Sequence, residues 1–345
     1  MNITDDTLRQ AADFLAAGEL VAFPTETVYG LGADAFNPAA LARVFEVKRR
    51  PRFDPLIIHI SGLEDLERVA DIASLTPLVR KQAADLCRCL WPGPLTLILP
   101  KIPSVPDLAT SGLPTVAVRF PAHPIAQKLI RLLNRAVAAP SANPFGYLSP
   151  TSAEHVREQL GDQIAMILDG GPADIGVEST VLDLAGSTPR ILRPGGTPKE
   201  RIEAVIGPLE AGETSESAIP CSPGQLKNHY APKIPLILHG QAEMSSVPYN
   251  RSEGYLFFSS DSRSRWTKTQ QPDLDGEGES RIRTLSEAGN MPEAAANLFK
   301  TLHELDKLEI FAIHAEQVPN AGLGNAVNDR LFRGAAVPFP EQNCR

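Results

Sequence analysis

The sequence predicts an α/β protein in two parts. A larger domain with a partly antiparallel sheet comes first, and a smaller, doubly wound domain follows a linker. Three observations carry this. Helical and strand-like apolar segments alternate from the first residues onward. Three short strand signals crowd residues 165–193, a spacing that suggests antiparallel neighbours. From Pro208 to about Pro235 the texture shifts to Pro, Ser, Gly and Glu, as in a linker. The expected boundaries are 1–206 for the first domain, 207–233 for the linker and 234–345 for the second domain.

In chain order, "DDTLRQAADFLAAGEL" has apolar residues at helical spacing, and "LVAF" reads as a buried strand. "PTETVYGLG" reads as a loop after that strand, with a strand-to-helix turn as its plain alternative. Asn37 and Pro38 look like an N-cap and first-turn pair opening "AALARVFEVKR", a helix that Pro51 stops. "PLIIHI" is a strand, and Thr76 with Pro77 repeats the cap signature before "LVRKQAADLCRCL". "LTLIL" and "TVAVRF" are strands, "HPIAQKLIRLLN" an amphipathic helix and "AVAAP" a short strand. "TSAEHVREQL" opens on a capping arrangement. "AMILD", "TVLDL" and "RILR" are the three crowded strands, and the helix "PKERIEAVIG" closes the domain. Beyond the linker come the strands "LILHG" and "GYLFFSS", a polar stretch over 259–283, the helix "MPEAAANLFKTLHELDKL", the strand "IFAIHA" and a last helix near "GNAVNDRLFRGAA".

The 345 residues carry 43% hydrophobic and 21% charged side chains, ordinary for a globular protein of two domains. A formal net charge of −8 argues against a protein that coats nucleic acid over its whole surface, though it permits a local basic groove. The opening "MNITDDTLRQ" has no apolar core of a secretory signal, and no apolar run is long enough for a bilayer. A cytoplasmic protein without membrane partners is the expectation. Cys87, Cys89, Cys221 and Cys344 form no C-x-x-C pair and read as reduced thiols without a metal role. No metal ligand set emerges from the protein side chains.

The sequence has no P-loop, no G-x-G-x-x-G, no G-x-S-x-G and no H-E-x-x-H. The candidate chemistry lies instead in loops and strand ends. "PTETVYGLG" offers the hydroxyls of Thr25, Thr27 and Tyr29 beside Gly30 and Gly32. Lys48, Arg49, Arg50 and Arg52 look like a triphosphate clamp, or a helix end whose dipole favours cations. His59 sits within a strand, where a satisfied core histidine is the plainer reading. Arg119 points away from the face of Val116 and Val118, into a pocket or into solvent. Ser141, Asn143 and Ser149 occupy a turn-rich loop, and Ser179 and Arg193 complete the set.

Taken together, "PTETVYGLG", "KRRPRFDPL", "WPGPLTLIL", "TVAVRFP", "PSAN", "GVESTV" and "LRPGG" occur in the order found in the YrdC/Sua5 family. "SPGQLKNHYAP" and "GLGNAVNDRLFRGA" resemble its long, two-domain form. The resemblance spans nearly the whole chain apart from about residues 240–300. It implies a twisted mixed α/β sheet with a deep concave site, followed by a Rossmann-like domain. The implied activity is that of a nucleotidyltransferase, threonylcarbamoyl-adenylate synthesis from L-threonine, bicarbonate or CO2 and ATP, with Mg2+. The product feeds the t6A modification of tRNA, so tRNA and the downstream t6A machinery are the implied transient partners.

Matched position by position, the resemblance places Thr27, His59, Arg119, Ala139 and Ser179 beside threonine. Arg50, Asp54, Thr115, Ser141, Asn143, Ser149, Arg193 and Tyr230 fall on the ATP side, and Lys48 and Arg50 are the expected catalytic pair. Asp54 stands where many relatives carry Asn, and a carboxylate there repels a triphosphate unless Arg52 or a metal intervenes. Residues 222–232 are expected to form a lid over the first domain, with Tyr230 near ATP. The rival readings are a double-stranded-RNA-binding module, a carbamoyl-transfer enzyme sharing the first domain, and a docking scaffold. Salt-sensitive RNA binding without ATP consumption marks the first, and a requirement for carbamoyl phosphate marks the second.

Overall fold

The protein is described from a computed structural model over residues 3–209, 229–272 and 276–335. It divides into two units. The first holds residues 3–145, 149–174 and 178–209, and the second holds 146–148, 175–177 and the described residues from 229 on. Most of the expected linker and lid, 210–228, lies outside the described residues, as do Cys221 and Cys344.

In the first unit the elements are α1 (Asp5–Ala16), β1 (Val21–Phe23), β2 (Gly30–Asp34), α2 (Pro38–Lys48), β3 (Ile57–His59), α3 (Pro77–Leu90), β4 (Leu95–Pro100), α4 (Asp107–Thr110), β5 (Thr115–Arg119), α5 (Pro124–Leu133), β6 (Val137–Ala138), α6 (Ala153–Leu160), β7 (Met166–Ile167), β8 (Thr180–Asp183), β9 (Arg190–Arg193) and α7 (Lys199–Ile206). The helix starts follow from their caps. Thr4, Asn37, Thr76, His123 and Ser152 each accept a hydrogen bond from a first-turn N–H, and Pro occupies the first turn of α2, α3 and α5. In α1 the buried residues Leu8, Ala11, Ala12 and Leu15 recur at helical spacing.

The strands form one mixed sheet in the order β7-β1-β2-β6-β3-β5-β4-β8-β9. Alternation along each strand splits its two faces. On one face Ile58, Leu97, Leu99, Val116, Val118 and Leu182 join the main core with α2 and α3. On the other, α1 and α5 pack over Val21, Phe23, Val137 and Ala139. Farther along that second face lies a small floor of Ile57, Ile98, Ala117 and Val181, joined by Ala185 and Leu192 and by no helical residue. The helix cover of α1 and α5 therefore stops at β6, and the strands β3, β5, β4 and β8 carry the floor.

Three local readings are corrected, and one stretch left open is assigned. The residues after "PTETVY", read as part of a loop with a strand-to-helix turn as the alternative, form the strand β2, paired antiparallel to β1. β8 and β9 are antiparallel neighbours, but β7 lies at the opposite edge, parallel to β1. α2 ends on Arg49, which adopts the left-handed conformation at φ 52°, before Pro51 is reached. The polar stretch 259–283, which the sequence leaves unassigned, contains two helices, Ser260–Gln270 and Gly276–Ser280, and the start of a strand.

The second unit holds β10 (Leu236–His239), α8 (Gln241–Met244), β11 (Glu253–Ser259), α9 (Ser260–Gln270), α10 (Gly276–Ser280), β12 (Ile282–Ser286), α11 (Met291–Asp306), β13 (Ala312–Glu316) and α12 (Gly324–Ala335). Its sheet is parallel, in the order β10-β13-β11-β12. Tyr255, Phe257, Trp266 and Ile282 pack together, and the Trp266 indole donates to the Val247 carbonyl at 2.8 Å. Tyr230 is buried in this unit, its ring 5.7 Å from that of Phe299 and 4.9 Å from the Arg330 guanidinium carbon. Among the described residues no helix is long and apolar enough to cross a membrane. Cys87 is buried and Cys89 exposed, and both are free thiols.

Candidate active site

The site is built on the face that α1 and α5 leave uncovered. Strand register sets His59 of β3 beside Arg119 of β5, and Arg119 beside Thr96 of β4. All three are buried. Arg119 is therefore no solvated surface residue. Its Nη1 donates to Thr27 Oγ1 at 2.9 Å, its Nε to the Gly93 carbonyl at 3.3 Å, and its Nη2 lies 2.6 Å from Glu26 Oε1.

Thr27 is held by its own loop. The Thr25 hydroxyl donates to the Val28 carbonyl at 2.6 Å and accepts from the backbone N–H of Thr27 and Val28. It also meets Thr27 Oγ1 at 2.8 Å. Behind this loop the Tyr29 hydroxyl donates to the Gly171 carbonyl at 2.7 Å, and burial pushes the phenol up to about 12. Burial, with Arg119 second, pushes the His59 imidazole down to about 3, so it is neutral at ordinary pH. Among the described residues its buried Nδ1 has no hydrogen-bond partner. Ala139 continues β6, donating its N–H to the Ile57 carbonyl at 2.9 Å.

The cationic half is next to this group through one pair of residues. Ser179 Oγ meets Thr96 Oγ1 at 2.8 Å. Arg193 Nη2 donates to the Ser179 carbonyl at 2.9 Å and to Ser179 Oγ at 3.3 Å. Arg193, Arg50 and Lys48 all lower the Asp54 carboxyl, which burial raises more strongly. Arg50 is committed to the same segment: Nη2 lies 2.9 Å from Asp54 Oδ2, Nε donates to the Asp54 carbonyl at 3.0 Å and Nη2 to the Pro55 carbonyl at 2.8 Å. The cation paired with Asp54 is thus Arg50 and not Arg52, which is exposed, as is Arg49.

Lys48 is buried, and its ammonium donates to the Ser141 carbonyl at 2.6 Å, to the Asn143 carbonyl and to Asn143 Oδ1 at 3.4 Å. Burial, and then the neighbouring Arg50 charge, drives it well below the usual lysine range. This cage binds the loop of Ser141 and Asn143 to the end of α2. Ser149 donates to the Glu178 carboxylate, tying the far end of that loop to the approach to β8.

The structure thus brings Thr27, His59, Arg119, Ala139 and Ser179 together, and joins them through Arg193 to Arg50, Asp54 and Lys48. Thr115 stands apart, at the far end of β5 and about 13 Å from Arg119 by strand rise. Tyr230 belongs to the second unit. Residue reasoning missed Glu26, Thr96 and Glu178. Thr96 did carry a signal, as the polar residue within "LTLIL".

The Sua5/YciO/YrdC family model, described as telomere recombination, matches residues 13–195. A second, described as the C-terminal domain of threonylcarbamoyl-AMP synthase, matches residues 197–336. The chain is 44% identical to threonylcarbamoyl-AMP synthase of Pyrococcus abyssi, over 95% of this chain and 94% of that protein. It is 41% identical to the Bacillus subtilis protein of the same name, over 97% and 94%. A shorter Vibrio parahaemolyticus protein of that name is matched over its whole length and 55% of this chain, at 34% identity. The crystal structure of P. abyssi Sua5 with L-threonine superposes with a TM-score of 0.82 at 41% identity, covering 97% of this chain and 96% of that one. A P. abyssi Sua5 variant with an adjacent His–Tyr pair changed to alanine gives a TM-score of 0.81 at 40% identity, covering 97% and 94%. With both domain models matched and full-length relatives at this identity, the chain belongs to the YrdC/Sua5 family, in its long two-domain form.

Proposed function

We propose that this chain is a threonylcarbamoyl-AMP synthase. It joins L-threonine, bicarbonate or CO2, and MgATP into threonylcarbamoyl-AMP and releases pyrophosphate, supplying the t6A modification of tRNA in the cytoplasm. The observation that carries this reading is the contact path Thr27–Arg119–Thr96–Ser179–Arg193, which sets a hydroxyl-rich amino-acid site against a cluster of buried cations. A double-stranded-RNA module has no use for buried hydroxyls arranged in this way.

The chemistry needs no enzyme nucleophile. The threonine ammonium loses a proton, the free amine adds to CO2 and releases a second proton to give the carbamate, a carbamate oxygen attacks the α-phosphorus, and pyrophosphate leaves. The chain's residues position and neutralise. The Arg119 guanidinium receives the substrate carboxylate, fixed by Thr27 and Gly93. The His59 Nδ1, which has no hydrogen-bond partner among the described residues, faces the remaining polar atoms of threonine, beside the Ser179 hydroxyl that Thr96 and Arg193 hold in place. Arg50 and Arg193 face the phosphates, and Lys48 holds the Ser141–Asn143 loop in place beside them. Among the described residues no group of three or more His, Cys, Asp or Glu forms a metal cage. Mg2+ would arrive on the ATP phosphates with its waters and supply charge neutralisation there. His229–Tyr230 is this chain's one His–Tyr pair, which makes Tyr230 the first position to test in the second unit.

The deciding measurement is pyrophosphate release from MgATP with bicarbonate, with and without L-threonine. The proposal expects release only with threonine, and no threonine-dependent release from folded protein sinks it. Arg119→Ala is expected to raise the KM for threonine, and Arg50→Ala the KM for ATP, each by about 10-fold or more.

A further inference from the structure

We propose that Glu26 is the receptor for the α-ammonium of the amino-acid substrate, so that Glu26 and Arg119 form a paired site for a zwitterion. This rests on the reading of the site as one for L-threonine. An amino acid carries its two charges on one carbon, and their receptors must be neighbours. Glu26 Oε1 lies 2.6 Å from Arg119 Nη2, with the two side chains 8% and 5% exposed.

The state of the carboxylate points to a ligand. A buried carboxylate with a purely structural role is ordinarily supplied with hydrogen-bond donors. Among the described residues neither oxygen of Glu26 has a hydrogen-bond partner, and its Oε1 faces Arg119 Nη2 as its one ion-pair contact. Arg119 meanwhile spends Nη1 on Thr27 and Nε on Gly93, so its position does not depend on Glu26 alone. The loop geometry fixes the site further, because Thr25 ties down the backbone of Thr27 and Val28 directly after Glu26. A buried carboxylate, held beside the carboxylate receptor and short of donors among the described residues, is what an ammonium group completes.

The test compares L-threonine with 3-hydroxybutyrate, the same molecule without its α-nitrogen, on the full-length protein and its Glu26→Gln variant. The amide keeps the side chain's shape and an acceptor for Arg119 but loses the charge. Titration calorimetry for threonine, and competition against labelled threonine for the analogue, give both Kd values. The variant is expected to weaken threonine about 10- to 100-fold and to leave 3-hydroxybutyrate within about twofold. Equal loss of both ligands means that Glu26 acts only through Arg119 and overturns the proposal, as does no loss of either. The wild-type protein alone gives a second check, independent of how the variant folds. It must prefer threonine to 3-hydroxybutyrate by about 10-fold or more, and equal affinities overturn the assignment. A wild-type protein that binds neither ligand defeats the threonine reading itself, a result distinct from equal loss in the variant.

Discussion

At His59 the fold holds an imidazole in a form that costs stability in acid. Burial lowers it to about 3 from an ordinary value of 6.5. Between those values the unfolded chain binds a proton that the native state does not. Stability therefore falls as pH drops below about 6.5, by up to about 1.4 kcal/mol per unit, and this loss is absent above it. Urea denaturation of wild type and His59→Gln from pH 7 to 5 checks the sign: the difference between them is expected to shrink by about 2 kcal/mol across that range. A constant difference means His59 is not held neutral. Lys48 tests a different cost. Lys48→Met leaves the Ser141 and Asn143 carbonyls without their ammonium donor, and is expected to lower stability by about 1–3 kcal/mol and to weaken ATP more than threonine. At this scale the sequence shows residue type and strand parity, which is enough to turn Arg119 away from Val118. It does not show partners. The Glu26–Arg119 pair joins residues far apart in the chain, and only the folded sheet makes them neighbours.

Elements were legible where their signals are local. The caps at Asn37 and Thr76 and the apolar spacing of α1 sit within one turn of what they organise. Pairings were not. β7 stands close to β8 in sequence, yet its partner is β1, and a two-residue strand carries no mark of which neighbour it takes. α9 was hidden by composition, because Trp266 is its one large apolar contribution to the core and the rest of the helix is polar. The turn after β9 shows how an element can set the site. Its glycine, Gly195, packs so tightly that an added Cβ would stand 2.4 Å from the Glu178 oxygen, the Ser179 carbonyl carbon and the Thr180 nitrogen. These are backbone atoms of the segment that presents Ser179 between Thr96 and Arg193. Gly195→Ala is therefore expected to cost about 1–3 kcal/mol and to impair threonine and ATP together, unlike Arg119→Ala or Arg50→Ala. Thermal melts with both KM values check this, and a loss confined to one substrate would place Ser179 outside the junction.

For the molecule as a whole, an overall charge of −8 coexists with a cluster of buried cations, so the charge that matters is local and is set by the first unit. The residues expected beside threonine all lie in that unit, and 55% of this chain matches a shorter relative over its whole length. A fragment of residues 1–207 should then bind L-threonine within about 10-fold of the full chain. Its stability is another matter. Residues 146–148 and 175–177 belong by their contacts to the second unit, although their sequence neighbours lie in the first. There the Tyr147 hydroxyl donates to Asp306 Oδ2 at 2.6 Å, and Gly176 packs against the backbone of Ala295 and Ala296. Leu148 and Val177 are fully buried. Cutting at 207 removes these partners and exposes three apolar side chains, at about 1.5–3 kcal/mol each. The fragment should melt well below the full chain, and polar substitutions at Tyr147, Leu148 and Val177 should improve its solubility without changing threonine affinity. A fragment as stable as the full chain would mean that these segments repack on the first unit. A fragment that folds but binds no threonine would overturn the placement of the threonine-side residues in the first unit.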